Sequence, residues 1–240
     1  MRDAQDAVRE ATKRLDAFVD AAFAFAVSLL IIASAEPTTS ISALWSALGR
    51  VPASLGAFAL VVMFWLAYRD WGRLTPRRNM LATLNALAIV FTVLVYVFPL
   101  RMLVETGFGW VSQGRLGGGD IIRTLGDLRD LFRIYGIGFA VLAALFVTIY
   151  LQPLRNPQRF GVASGDIPAL RESARIWAIC ASAGLLSAAL TFGPLAKAPW
   201  LPGLAYWLIP LSVLIRASAK PRSPGLVKLR QGRSPPRRKR

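Results

Sequence analysis

Histidine is absent from the 240 residues, and cysteine occurs once, at Cys180. The first absence removes the commonest general base, the commonest metal ligand and the usual pH switch together. The second excludes any disulfide framework within one chain. Charge is also scarce, with 18% of residues charged against 55% hydrophobic and a mean hydropathy of +0.47. A soluble domain of this length carries more charge and intersperses it among its apolar residues. Here the apolar residues come in long blocks, and the sequence reads as an all-α membrane protein.

Acidic residues are the scarcer sign: 13 Asp and Glu face 29 Lys and Arg, giving a net charge of +16. In a soluble protein that balance suggests nucleic acid. Here the excess lies in loops and in the tail, where cationic residues set membrane orientation. Residues 219–240 end in Arg237-Arg238-Lys239-Arg240 and read as a basic, disordered cytoplasmic tail facing lipid headgroups. Binding of nucleic acid by such a tail alone is weak and salt-sensitive, so no nucleic-acid partner is expected. Arginine far outnumbers lysine and alanine is abundant, which points to a bacterial genome rich in G and C.

Residues 1–218 divide into six apolar spans of the length a hydrocarbon layer requires. The first runs from Arg14 to Ala35, the second from Val51 to Tyr68 and the third from Met80 to Val104. The fourth is Leu131–Leu151, the fifth Ile176–Phe192, and the sixth, broken by Pro202 and Pro210, Trp200–Ile215. Met1–Lys13 is polar and mixed in charge, unlike a secretory leader. The segment around Trp45 reads as a short outer or interfacial turn. Arg69, Arg73, Arg77 and Arg78 crowd the second-to-third loop, and Arg155, Arg159, Arg171 and Arg175 the fourth-to-fifth. Both termini are therefore expected on the cytoplasmic side of a multi-pass protein of the bacterial inner membrane.

The first span carries the informative chemistry. Phe18, Phe25, Leu29 and Ile32 recur at helical spacing, with Ser28 beside them, so one stripe is bulky and apolar with a single hydroxyl. Ala21, Ala22, Ala24 and Ala26 leave neighbouring positions small enough for close helix approach. Spacing alone leaves two readings open: a bundle helix whose Phe face meets lipid, or a helix whose Phe face is shared. Asp20 enters the bilayer with this helix, and ionisable groups at that depth point to function. Arg14 and Asp20 lie six residues apart, about 240° around a helix, too far round to pair on one face. Each is expected to find a partner elsewhere. Asn85 is the best polar candidate in another span, with Tyr68 and Arg69 within reach from the second.

Arg14-x-x-x-Phe18-Val19-Asp20, running on through Ala21-Ala22-Phe23-Ala24-Phe25-Ala26-Val27-Ser28-Leu29-Leu30, closely resembles the first-helix signature of the endosomal/lysosomal potassium channel family, the transmembrane protein 175 family. Phe64-Trp65, Leu84-Asn85-Ala86-Leu87 and Phe98-Pro99 continue the resemblance through approximately the first 105 residues. Val19 stands where the signature has serine, and Phe25 where it has Ile or Leu.

The resemblance implies a homotetramer of six-helix subunits with the first helix lining a central cation pore. It implies that Phe25, Leu29 and Ile32 form stacked apolar rings, with Ser28 at the family's threonine position. It also implies that Arg14, Phe18 and Asp20 hold the helices around the pore's cytoplasmic end, with Asn85 in the same motif network. The expected function is a potassium-permeable channel without the usual filter loop, with potassium ions and the bilayer as its partners. No cofactor is expected, and no metal beyond potassium in transit.

The alternative from another class is a proton-coupled transporter or proton pathway titrating Asp20. Transporters usually show repeat-related halves, and no internal repeat is visible. Catalysis is not expected either. No histidine, no paired cysteine and few intramembrane carboxylates are available, and Glu36 and Glu105 sit at span ends where solvation is expected.

Overall fold

The computed structural model describes residues 2–32, 39–113, 124–192, 198 and 201–207. Among them every regular element is a helix. The tail 219–240 and most of the expected sixth span lie outside the described residues; within that span, α8 (Leu201–Leu204) and a 3-10 turn (Ala205–Trp207) are seen.

Helix α1 spans Arg2–Ile32, starting a dozen residues before the apolar block. The polar segment continues the helix through local contacts, including an exposed Glu10–Arg14 pair at 3.4 Å. Helix α2, Ile41–Gly49, is the short turn around Trp45; Ser40 caps it by accepting from the Ala43 amide at 3.1 Å. None of its residues is buried, as suits an interfacial element.

Helix α3, Val51–Leu74, begins with Pro52 in its first turn, where the missing amide is harmless. It outlasts the expected end at Tyr68 because Trp71 is fully buried and holds another turn on the bundle. Helix α4, Met80–Val111, starts at Asn79, whose side chain accepts from the Ala82 amide at 2.7 Å, and contains Pro99. Helix α5, Leu125–Arg155, opens with a reciprocal capping box between Thr124 and Asp127. That box starts the helix ahead of the expected span Leu131–Leu151, in a charged stretch whose sequence is compatible with helix. The four-residue α6, Pro157–Phe160, ends at Gly161, whose φ of 71° suits glycine. Helix α7, Ile167–Ala189, begins well before the expected Ile176.

Among the described residues four helices are long and apolar enough to cross a membrane, within Asp6–Ile32, Val51–Leu74, Met80–Val111 and Leu125–Arg155. The chain is a multi-pass membrane protein. α7 holds the fifth expected span but carries Arg171, Glu172 and Arg175 near its start.

Apolar burial between helices gains little in lipid, so small residues and polar contacts must hold the bundle. α5 and α7 meet through Gly136 and Gly184. A Cβ added at Gly136 would stand 2.8 Å from the Gly184 carbonyl oxygen, and one at Gly184 2.8 Å from the Gly136 oxygen. Ala140 and Ala188, four residues on, continue the contact. Around it, Phe146 stacks on Trp177 at 4.3 Å between ring centroids, and Phe64 from α3 packs against both. Hydrogen bonds fix the register: Tyr150 Oη donates to the Ala67 carbonyl at 2.7 Å and Tyr96 Oη to the Tyr135 carbonyl at 2.9 Å.

Replacing Gly184 by leucine should destabilise the fold by about 1–3 kcal/mol through overpacking, read as a lower melting temperature in detergent. Gly165→Ala, where a Cβ meets nothing within 4 Å, should leave melting unchanged. Equal melting of the two variants would refute the close-contact account.

Candidate first-helix site

α1 has two unlike sides. Val19, Phe23, Ala26 and Leu30 repeat at helical spacing and are buried in the core formed with α3 and α4. Phe18, Phe25 and Ile32 are 54%, 55% and 66% exposed, with Ser28 exposed beside them. Leu29 is half-buried at the margin between the two sides. The expected bulky stripe is thus the side that this single chain leaves unpacked. Ser28 Oγ donates to the Ala24 carbonyl at 3.1 Å.

The motif residues separate in space. Arg14 stays on its own helix, paired with Glu10, and its side chain is 80% exposed. Asp20 accepts from Trp65 Nε1 at 2.7 Å, which joins α1 to α3. Arg69, one turn further along α3, lies over the Trp65 ring at 4.7 Å. Asp20 and Trp65 form one wall of a shallow cleft of about 260 Å³, completed by Phe23, Ala24, Val27 and Val62. Tyr68 does not reach Asp20. It donates to Asp16 at 3.1 Å, one turn earlier on the same face of α1.

Asn85 faces away from α1. Its Nδ2 donates to Thr148 Oγ1 at 2.7 Å and to the Leu145 carbonyl at 3.2 Å, tying α4 to α5. It thus stands apart from the Asp20–Trp65 contact, because its turn of α4 faces α5. Glu105, expected to be solvated, is 4% exposed and accepts from Arg101 Nε at 2.7 Å. Burial with an ion-pair partner replaces solvation there.

Sequence reasoning passed over Asp16, Trp65 as a donor, and Arg78. Asp16 was legible in principle, since it precedes Asp20 by four residues and shares its face. The side chain of Arg78 is 5% exposed and its Nη2 lies 3.2 Å from Asp16 Oδ1. Among the described residues no group of histidine, cysteine or carboxylate side chains is placed to hold a metal.

Trp65→Phe should lower thermal stability by about 1 kcal/mol by removing the donor to Asp20. Asp20→Asn should cost less, because its amide oxygen can still accept from Trp65. A more damaging Asp20→Asn variant in the same melting experiment would show that charge, not this hydrogen bond, matters at Asp20.

No family model matches the chain. It is 25% identical over 218 residues to a protein of Marivirga tractuosa named a potassium channel, covering 84% of this chain and 85% of that one. Its fold matches a crystal structure of a variant of the potassium channel MtTMEM175 in complex with a nanobody–MBP fusion protein. That match has a TM-score of 0.70 and 23% identity, and covers 87% of this chain and 94% of the other. Both comparisons agree with the expected family likeness: the chain is similar to a protein named a potassium channel and shares the fold of MtTMEM175.

Proposed function

We propose that this TMEM175-like chain is a potassium-permeable cation channel of the bacterial inner membrane. Each subunit crosses the bilayer six times with both termini cytoplasmic, and four subunits bring α1 together around a central path. The observation that carries the reading is the two-sidedness of α1. It packs one side through Val19, Phe23, Ala26 and Leu30 and leaves Phe18, Phe25 and Ile32 uncovered on another. Similarity to proteins named potassium channels supports the same assignment.

In this reading Phe25, Leu29 and Ile32 form successive apolar rings, and permeation needs no filter loop. A narrow apolar ring penalises each ion by the hydration it must shed, and it can close by dewetting. Potassium holds its water less tightly than sodium and passes more readily. The Ser28 hydroxyls replace part of the lost hydration, so selectivity is modest. No cofactor or catalytic group takes part. The proton-coupled alternative gains less support, because Asp20 is engaged by the Trp65 indole and no internal repeat is visible in the chain.

Purified protein in liposomes should give electrogenic flux favouring potassium over sodium. Phe25→Ala should raise that flux several-fold and lower the potassium preference. Saturable, proton-coupled exchange in the wild type would overturn the channel reading in favour of transport. Unchanged flux in the variant would remove Phe25 from the path.

A further inference from the structure

Arg78 lies between the end of α3 and the start of α4, and its guanidinium is fixed on several sides. It lies over the Trp71 ring at 4.2 Å from the centroid. Its Nη1 donates to the carbonyl and to Oγ1 of Thr75, the residue that caps the end of α3. Thr75 is itself fully buried and donates to the Trp71 carbonyl at 2.6 Å. Gly72 leaves the space, since a Cβ there would stand 3.1 Å from Arg78 Nη2. The free side of the fork meets Asp16 at 3.2 and 3.4 Å, and Tyr68 donates to the same carboxylate.

This ion pair joins α1 to the loop between α3 and α4. Asp16 precedes Phe18 by two residues, about 200° around the helix, so it lies on the far side from the exposed stripe. Turning α1 by one residue, about 100°, would carry Asp16 away from a guanidinium that cannot follow. Leaving a buried arginine unpaired is strongly unfavourable, so the pair resists that rotation.

We infer that Arg78 and Asp16 are positioning residues that set the rotation of α1, and with it which side chains the helix presents on its exposed side. The inference rests on the channel reading only for its consequence in ion selectivity; the rotational anchoring stands apart from it.

The test has two arms, each on the full chain with wild type, Asp16→Asn, Asp16→Glu and the exchanged pair Asp16→Arg/Arg78→Asp. In liposomes, Asp16→Asn should lower the potassium-to-sodium flux ratio by about threefold or more. Asp16→Glu, which keeps the charge, should restore most of it. An unchanged ratio in a conducting protein would overturn the inference while leaving the channel reading intact. The second arm needs no conduction. Val19→Cys, placed on the packed side of α1 in a Cys180→Ala background, should react with a thiol reagent about tenfold faster when Asp16→Asn is added. Asp16→Glu should return the rate towards that of the intact pair. Should Asp16→Asn fold poorly, the exchanged pair decides: slow labelling supports the anchor, and labelling as fast as in an unfolded control overturns it. Equal labelling rates with and without Asp16→Asn would overturn the anchor, whatever the protein conducts.

Discussion

A helix inside hydrocarbon has little reason to prefer one rotation over another, because lipid tails are as apolar as its own side chains. The rotation of α1 therefore depends on the few polar groups that enter the bilayer with it. Asp16 and Asp20 share one face and meet donors held by α3 and the α3–α4 loop: Tyr68 and Arg78 for the first, Trp65 for the second. With the carboxylates fixed, Val19, Phe23, Ala26 and Leu30 are buried, and Phe18, Phe25 and Ile32 stay outside.

The rest of the bundle supplies a rigid back wall. The Gly136–Gly184 approach brings α5 and α7 into backbone contact, and the stacked Phe146–Trp177 pair joins the same two helices further along. Tyr150 and Asn85 then tie α5 to α3 and α4 by hydrogen bonds that have no competing water in hydrocarbon. The ring, carbonyl and hydroxyl contacts of Arg78 all come from the end of α3, which packs on this wall through Phe64.

Much of this was legible in the chain. Apolar block length located the long helices, and helical spacing grouped Phe18, Phe25 and Ile32 on one stripe of α1, whereas Leu29, expected with them, is half-buried against the core. What could not be read were pairings across long sequence separations. Asp16 meets Arg78, and Asn85 meets Thr148, through helix order and tilt, which no local pattern encodes. Helix ends were misplaced for a related reason. Trp71 extends α3, and the Thr124–Asp127 box extends α5 into polar sequence, where hydropathy gives no signal. Glu105 shows the same limit, since its burial depends on Arg101 one turn away. The position of a carboxylate near the end of a span does not decide whether it is paired or solvated.

The central claim is that the exposed side of α1 faces an ion path rather than lipid. The most direct test places a cysteine at Ser28 in a Cys180→Ala protein and adds a membrane-impermeant, charged thiol reagent during potassium flux. Phe91, 69% exposed on α4, serves as the comparison on another helix. Block of flux through Ser28→Cys, with Phe91→Cys unaffected, is the result this account predicts. Flux that persists after complete modification at Ser28 would contradict it.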